Sequence, residues 1–199
     1  MAKKRVGVLA VQGAFIEHEH MLSRLGAECI ELRQASDLKK GFDYLVLPGG
    51  ESTAQGRVLR DLGMLDTLEA YIKEGMPVLG TCAGLILLAQ DIDSYNGDGS
   101  LVDEQHNSTW LATLPVTVRR NAYGRQLGSF FARASFKGLG EIPMTFIRAP
   151  FITECKSGVE VLATVDERIV AVRYQNQIGV SFHPELDTHQ GVHELLLSL

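Results

Sequence analysis

An open, mostly parallel α/β sheet with helices on both faces, extended by antiparallel strands in the second half, is the architecture this sequence predicts. In the first half, apolar runs alternate with amphipathic helical patterns in β-α-β order. The runs Val6-Gly7-Val8-Leu9-Ala10-Val11 and Tyr44-Leu45-Val46-Leu47 are nearly continuous, as strands covered on both faces of a parallel sheet are. Beyond residue 115 the apolar periods become short and strand-like, so the second half reads as β-rich.

The first strand is stopped by Gln12-Gly13. Phe15, Met21, Leu22 and Leu25 then recur near helical spacing, with Gly26 as a C-terminal stop. A second strand spans Glu28 to Leu32, and a third, Tyr44 to Leu47, runs into Pro48-Gly49-Gly50-Glu51-Ser52. Leu62, Leu65, Leu68, Tyr71 and Ile72 form the next helical pattern, which ends at Gly75. Pro77-Val78-Leu79-Gly80 is a fourth strand, and Gly84 to Ala89 reads as the buried helix that leaves it. From Gln90 to Asn107 the chain turns polar and rich in Gly, Asp and Asn, which predicts a surface loop and a candidate mobile segment. Strands are expected at Val116 to Arg119, Ser129 to Ala132, Met144 to Ile147, Val159 to Val165, Ile169 to Tyr174 and Ile178 to Phe182. With no internal repeat, low-complexity tract or Pro/Ser linker, residues 1–199 are expected to form a single domain.

Composition narrows the function. Lys and Arg number 19 against 24 Asp and Glu, a net charge of −5, which supplies no broad basic field for nucleic acid. Cys29, Cys82 and Cys155 are odd in number and form no CxxC pair, so neither a disulfide framework nor a zinc knuckle is indicated. The apolar run after Lys3-Lys4-Arg5 is too short for a signal or membrane segment, and a cytoplasmic location is expected.

The chemistry concentrates at Val78-Leu79-Gly80-Thr81-Cys82-Ala83-Gly84-Leu85, a strand, a tight turn and a helix with the layout of a nucleophile elbow. The glycines permit the sharp turn, the helix N-terminus favours thiolate, and the Ala83 N–H is placed to meet an oxyanion. Without a base, Cys82 would be a small buried hydrophobe. Ser181-Phe182-His183-Pro184-Glu185 supplies both a base and a carboxylate to orient it. The Pro48-Gly49-Gly50 turn lies at the carboxyl end of a strand, where open α/β sheets bind ligands, and the Gly50 N–H is a candidate second oxyanion donor.

Together, Gly80-Thr81-Cys82-Ala83-Gly84, His183-Pro184-Glu185 and Pro48-Gly49-Gly50 resemble the class I (triad-type) glutamine amidotransferases, whose fold is flavodoxin-like. Gly7 to Ala14, Leu47 to Thr53, Arg120-Asn121-Ala122-Tyr123-Gly124-Arg125-Gln126, Phe146 to Pro150 and Ser181 to Leu186 narrow the likeness to the glutaminase subunits of pyridoxal 5'-phosphate synthases. The resemblance implies hydrolysis of L-glutamine to glutamate and ammonia by Cys82, His183 and Glu185, with Gly50 and Ala83 as oxyanion donors. It also implies glutamine binding by Gly50, Glu51, Ser52, Arg120, Ile147 and Arg148, no metal and no organic cofactor. The implied partner is a separate (β/α)8-barrel synthase subunit in a hetero-oligomeric complex that receives the ammonia and builds vitamin B6. Gln12 and the helix starting near Ala14 are expected to face that subunit, and a rotation of the Gly49-Gly50 peptide to switch activity. Charge logic agrees in part, since an amino-acid carboxylate seeks a guanidinium and its ammonium an acceptor.

Two other readings stay open. A DJ-1-like cysteine hydrolase shares the doubly wound fold and an elbow cysteine, but that group commonly has His directly after it, where this chain has Ala83. A catalytically silent binding subunit on the same fold is the second, and the intact triad counts against it. His189 and His193 have helical i, i+4 spacing but no third zinc ligand, and are expected on an exposed helix. His18 and His20 are expected at the surface or in the partner contact, and Cys29 and Cys155 in packing.

Overall fold

The computed structural model describes residues 3–93, 108–120 and 129–199. Along it run β1 (Arg5–Leu9), α1 (Phe15–Arg24), β2 (Glu28–Leu32), β3 (Tyr44–Leu47), α2 (Ser52–Asp61), α3 (Leu65–Lys73), β4 (Val78–Thr81), α4 (Ala83–Leu88) and β5 (Ala89–Ile92). The second half adds β6 (Leu114–Arg119), β7 (Ser129–Phe136), β8 (Gly140–Ile147), β9 (Phe151–Cys155), β10 (Glu160–Val165), β11 (Arg168–Tyr174), β12 (Gln177–Val180) and α5 (Gly191–Leu197).

These strands join one sheet with the order β2-β1-β3-β4-β12-β11-β10-β7-β8, and β5, β6 and β9 branch from β11. Every pair from β2 to β12 is parallel, while β11, β10, β7 and β8 pair antiparallel. Strand alternation then divides the core in two. Leu45, Leu47 and Val78 join Leu59, Leu68, Leu85 and Leu88 from α2, α3 and α4 on one face. Val6, Val8, Val46 and Leu79 join Leu22 of α1 and Val192 and Leu196 of α5 on the other. Helices therefore cover both faces, as the continuous apolar strands predict.

Several sequence-based boundaries need correction. The pattern from Leu62 to Ile72 is not one helix: Leu62 is the C-cap of α2, and α3 starts at Leu65. Helix α2 escapes a reading of apolar periodicity because Ser52, Thr53, Gln55 and Gly56 supply most of its buried face. The expected polar loop begins later than Gln90, since Ala89–Ile92 is a strand parallel to β6. Its remainder, 94–107, lies outside the described residues, as do residues 121–126 of the Arg120 motif. Strand β9 has no counterpart among the expected strands, and the β7–β8 hairpin is longer than expected, pairing Ser129 with Ile147 and Phe136 with Gly140. Among the described residues no helix is long and apolar enough to cross a membrane.

Candidate active site

The order of the strands sets the location of the site. Strand order reverses about β1, with β2 added on one side and β3 on the other, and open sheets bind ligands at the carboxyl ends beside such a point. Four turns leave there: Gln12 after β1, Pro48 to Gly50 after β3, Cys82 after β4 and His183 beyond β12. Parallel register between β4 and β12 sets Thr81 beside Val180, and the Cys82 N–H donates to the Val180 carbonyl at 2.8 Å. Two residues far apart in sequence are thereby held at neighbouring strand ends.

Cys82 has φ 48° and ψ −100°, a strained conformation for a residue with a Cβ, and is the N-cap of α4. The elbow is possible because α4 lies directly on β3: a Cβ on Gly84 would come within 1.9 Å of the Leu47 carbonyl oxygen. Cys82 Sγ lies 3.9 Å from the Ile147 carbonyl oxygen. The first N–H groups of α4, that of Ala83 among them, have no intrahelical acceptor, as at any helix start.

The His183 backbone N–H is fixed by a 2.8 Å bond to the Thr145 carbonyl of β8, and Pro184 opens the short turn that brings Glu185 back. His183 Nδ1 and Glu185 Oε1 are 2.6 Å apart in a buried contact. Since Nδ1 is engaged by the carboxylate, Nε2 is the nitrogen left for Cys82. Burial pulls the imidazole pKa down, but hydrogen bonds to Cys82 and Glu185, together with their charges, outweigh it and raise it to about 10. For Glu185, burial pushes the pKa up, but His18 and His183 at its two oxygens hold it below the usual carboxylate range. Burial lifts the Cys29 thiol to about 11 and Cys155 above its ordinary value, so both stay protonated near neutral pH and neither is a nucleophile candidate.

The imidazole is roofed by Gly49. A Cβ there would meet His183 Cε1 at 2.3 Å and Cys82 Cβ at 3.4 Å, so only glycine permits this approach. The Gly49 carbonyl accepts from the Ala14 N–H at 3.1 Å, and the planar trans peptide therefore turns the Gly50 N–H away from residue 14. Gln12 ties the turn down: its Oε1 accepts from the Glu51 N–H at 2.9 Å, and its backbone carbonyl from Gln55 Nε2 at 3.0 Å.

Gly50, Glu51, Ser52, Cys82, Ala83, Arg120, Ile147, Arg148 and His183 all line one cleft of about 430 Å³, joined by Gln12 and Ile86. Glu185 stands behind His183. Glu51 caps α2, accepting from the Thr53 and Ala54 N–H groups, and also accepts from Arg120 Nη2 at 3.0 Å. Arg120 Nη1 donates to Thr53 Oγ1 at 3.1 Å. Burial raises the Glu51 pKa, but these donors outweigh it and leave the carboxylate ionised at neutral pH. Ser52 lines the cleft, and its buried Oγ has no hydrogen-bond partner among the described residues. Paired opposite charges beside a nucleophile suit a zwitterionic substrate.

Two histidines contradict the sequence-based expectation of surface positions. His18 and His193 are fully buried, with His18 Nδ1 2.9 Å from His193 Nε2. His20 is exposed as expected. Burial is the main reason that the His193 pKa falls, to about 3, with the charge of His18 adding to it. A folded pKa below the unfolded value means the unfolded chain binds the proton first, so this stability is present above pH 6.5 and lost as pH falls towards 3. The expected result is that His193→Leu loses stability less steeply than the unaltered chain between pH 6.5 and 3, by a few kcal/mol over the window. Urea unfolding at stepped pH measures it, and parallel curves would refute the buried neutral imidazole. Gln12, Thr53, Ile86, His18 and His193 are the site residues that sequence reasoning does not assign to the cleft or triad, and only Gln12 carries a signal, its place at the carboxyl end of β1.

A family model described as the SNO glutamine amidotransferase family matches residues 8–198. The chain is 54% identical over 193 residues to a pyridoxal 5'-phosphate synthase subunit PdxT of Desulfitobacterium hafniense (strain Y51), covering 97% of this chain and 92% of that one. It is 53% identical over 195 residues to the PdxT of Methanocorpusculum labreanum, covering 98% and 97%. A crystal structure of a glutamine amidotransferase superposes with a TM-score of 0.85 at 41% identity, over 97% of each chain.

Proposed function

The chain belongs to the SNO glutamine amidotransferase family, and from that premise we propose that its cleft hydrolyses L-glutamine to L-glutamate and ammonia through Cys82, His183 and Glu185. As a glutaminase of this family it serves pyridoxal 5'-phosphate synthesis. The observation that carries the residue assignment is the pairing of a strained elbow cysteine with a buried His183–Glu185 contact of 2.6 Å at adjacent strand ends.

In this reading His183 takes the Cys82 proton, or as imidazolium holds Cys82 as a thiolate, and Sγ attacks the side-chain carbonyl carbon of glutamine. The negative oxygen that forms is met by the N–H groups of Gly50 and Ala83. The imidazolium returns its proton to the departing nitrogen, the C–N bond breaks, and ammonia leaves a glutamyl thioester on Cys82. Water gives a proton to the same imidazole and adds to the thioester carbon, and expulsion of the thiolate, which recovers that proton, yields glutamate. Glu185 orients the imidazole and stabilises its charged form. The substrate's α-carboxylate takes a place beside Arg120 and its ammonium one beside Glu51, each replacing the ion pair the two side chains make with each other. Ser52, Ile147 and Arg148 complete the binding cleft. These steps call for no metal or organic cofactor.

The partner in this reading is a pyridoxal 5'-phosphate synthase (β/α)8-barrel subunit that receives the ammonia, and the setting is cytoplasmic. Gln12 links the first loop to the Gly49-Gly50-Glu51 turn, so a protein docked on that loop bears directly on the oxyanion donor. The expected outcome is slow glutamate release by the chain alone and roughly tenfold or faster release with the synthase subunit, within what one oxyanion donor contributes. A coupled glutamate assay with and without the subunit tests this. Absence of turnover in both conditions, with the chain folded and Cys82 reduced, would return it to the silent-subunit reading or to another cysteine hydrolase.

A further inference from the structure

The triad does not end at Glu185. Its Oε1 faces His183, while Oε2 is buried and meets no hydrogen-bond donor of good geometry among the described residues. The group that does approach Oε2 is His18 Nε2, 3.3 Å away, with Thr81 Oγ1 3.2 Å from the same nitrogen. Behind it, His193 Nε2 reaches His18 Nδ1 at 2.9 Å, and His193 Nδ1 has no partner among the described residues.

Only one proton arrangement suits this row. If His18 carried its proton on Nδ1, the bare Nε2 would set a lone pair against the Glu185 carboxylate, and His193 would keep a buried N–H with nothing to accept it. With the proton on His18 Nε2, the N–H meets Thr81 Oγ1 with Oε2 3.3 Å from the same nitrogen, Nδ1 accepts from the His193 Nε2–H, and only acceptors, Oε2 and His193 Nδ1, are left short of a well-aimed donor. An unmatched acceptor is the cheaper fault.

We propose that His18 is a positioning residue for the triad: its Nε2–H is the counterpart of Glu185 Oε2, and His193 fixes that proton by donating to Nδ1. The line runs Cys82, His183, Glu185, His18, His193, so α1 and α5 both reach the reacting group from the far face of the sheet. The burial that lowers both imidazole pKa values agrees with neutral rings. The inference rests on the glutaminase reading for its kinetic consequence but not for its proton placement.

Two measurements test it on the full chain with its synthase subunit. His18→Leu removes the N–H at similar volume, and kcat for glutamate release should fall about ten- to a hundredfold with KM within about twofold, because the orienting contact and not the substrate cleft is lost. His18→Gln, which sets an amide N–H near the place of Nε2, should recover most of that loss. A His18→Leu kcat within about twofold of the unaltered chain, or a His18→Gln no better than Leu, would overturn the proposal. Nitrogen NMR of the histidine-labelled chain alone should find His18 protonated at Nε2 and bare at Nδ1, and a proton found on Nδ1 alone would overturn it even if no glutamine turns over. Absence of turnover in the unaltered complex would sink the glutaminase reading instead, with the NMR result still deciding the proton.

Discussion

Replacing Cys82 by serine is expected to remove glutamine hydrolysis, by roughly 10⁴-fold or more in kcat, while leaving the chain folded. The physical basis is local. Oxygen for sulfur changes the volume little, so the elbow, the Cys82 N–H bond to Val180 and the packing of α4 on β3 persist. What is lost is the soft sulfur nucleophile beside His183. A hydroxyl at this position stays protonated at neutral pH, and nothing in the Cys-His-Glu arrangement lowers its barrier to attack enough to compensate. Steady-state glutamate release with the synthase subunit, together with a thermal melt, gives the answer. Turnover within about tenfold of the unaltered chain would rule out Cys82 as the nucleophile.

Gly49→Ala is the second large effect. The new methyl would have to occupy space 2.3 Å from His183 Cε1 and 3.0 Å from Nδ1, well inside contact distance. The imidazole cannot retreat easily, since its backbone is tied to Thr145 and its Nδ1 to Glu185. The β3 turn cannot retreat either, since the Gly49 carbonyl is held by Ala14 and Pro48 by Gln55. One of these must give, and a displacement of the order of an ångström between His183 and Cys82 should cost about a hundredfold in kcat. Because the same clash strains the fold, a melting temperature lowered by several degrees should accompany it. Activity within about threefold of normal would mean that the roof over the imidazole is not rigid.

Both expectations concern residues that stand out in the sequence. The elbow is a local pattern, a short apolar strand meeting Gly80 and Gly84, and His183 with Glu185 is nearly so, because two residues and a proline suffice to turn a carboxylate back on an imidazole. The parallel half of the sheet is equally legible, since strands covered on both faces must be apolar at nearly every position. Less is visible where polarity and burial coincide. Helix α2 hides Ser52, Thr53 and Gln55, and a hydrophobic pattern cannot register a face made of such residues.

Amino-acid order thus dictates the succession of the parallel strands β1 to β4 in the first half, the nucleophile and its base, and the charge types that border the cleft. It took the folded chain to pair Arg120 with Glu51, 69 residues away, to add β9 to the sheet, and to draw His18 and His193 from the surface to meet behind Glu185. The reason is physical. Apolar residues announce their burial through a period that one segment carries within itself. A polar residue is buried only when distant segments bring it a partner, and that pairing is set where the chain folds back on itself.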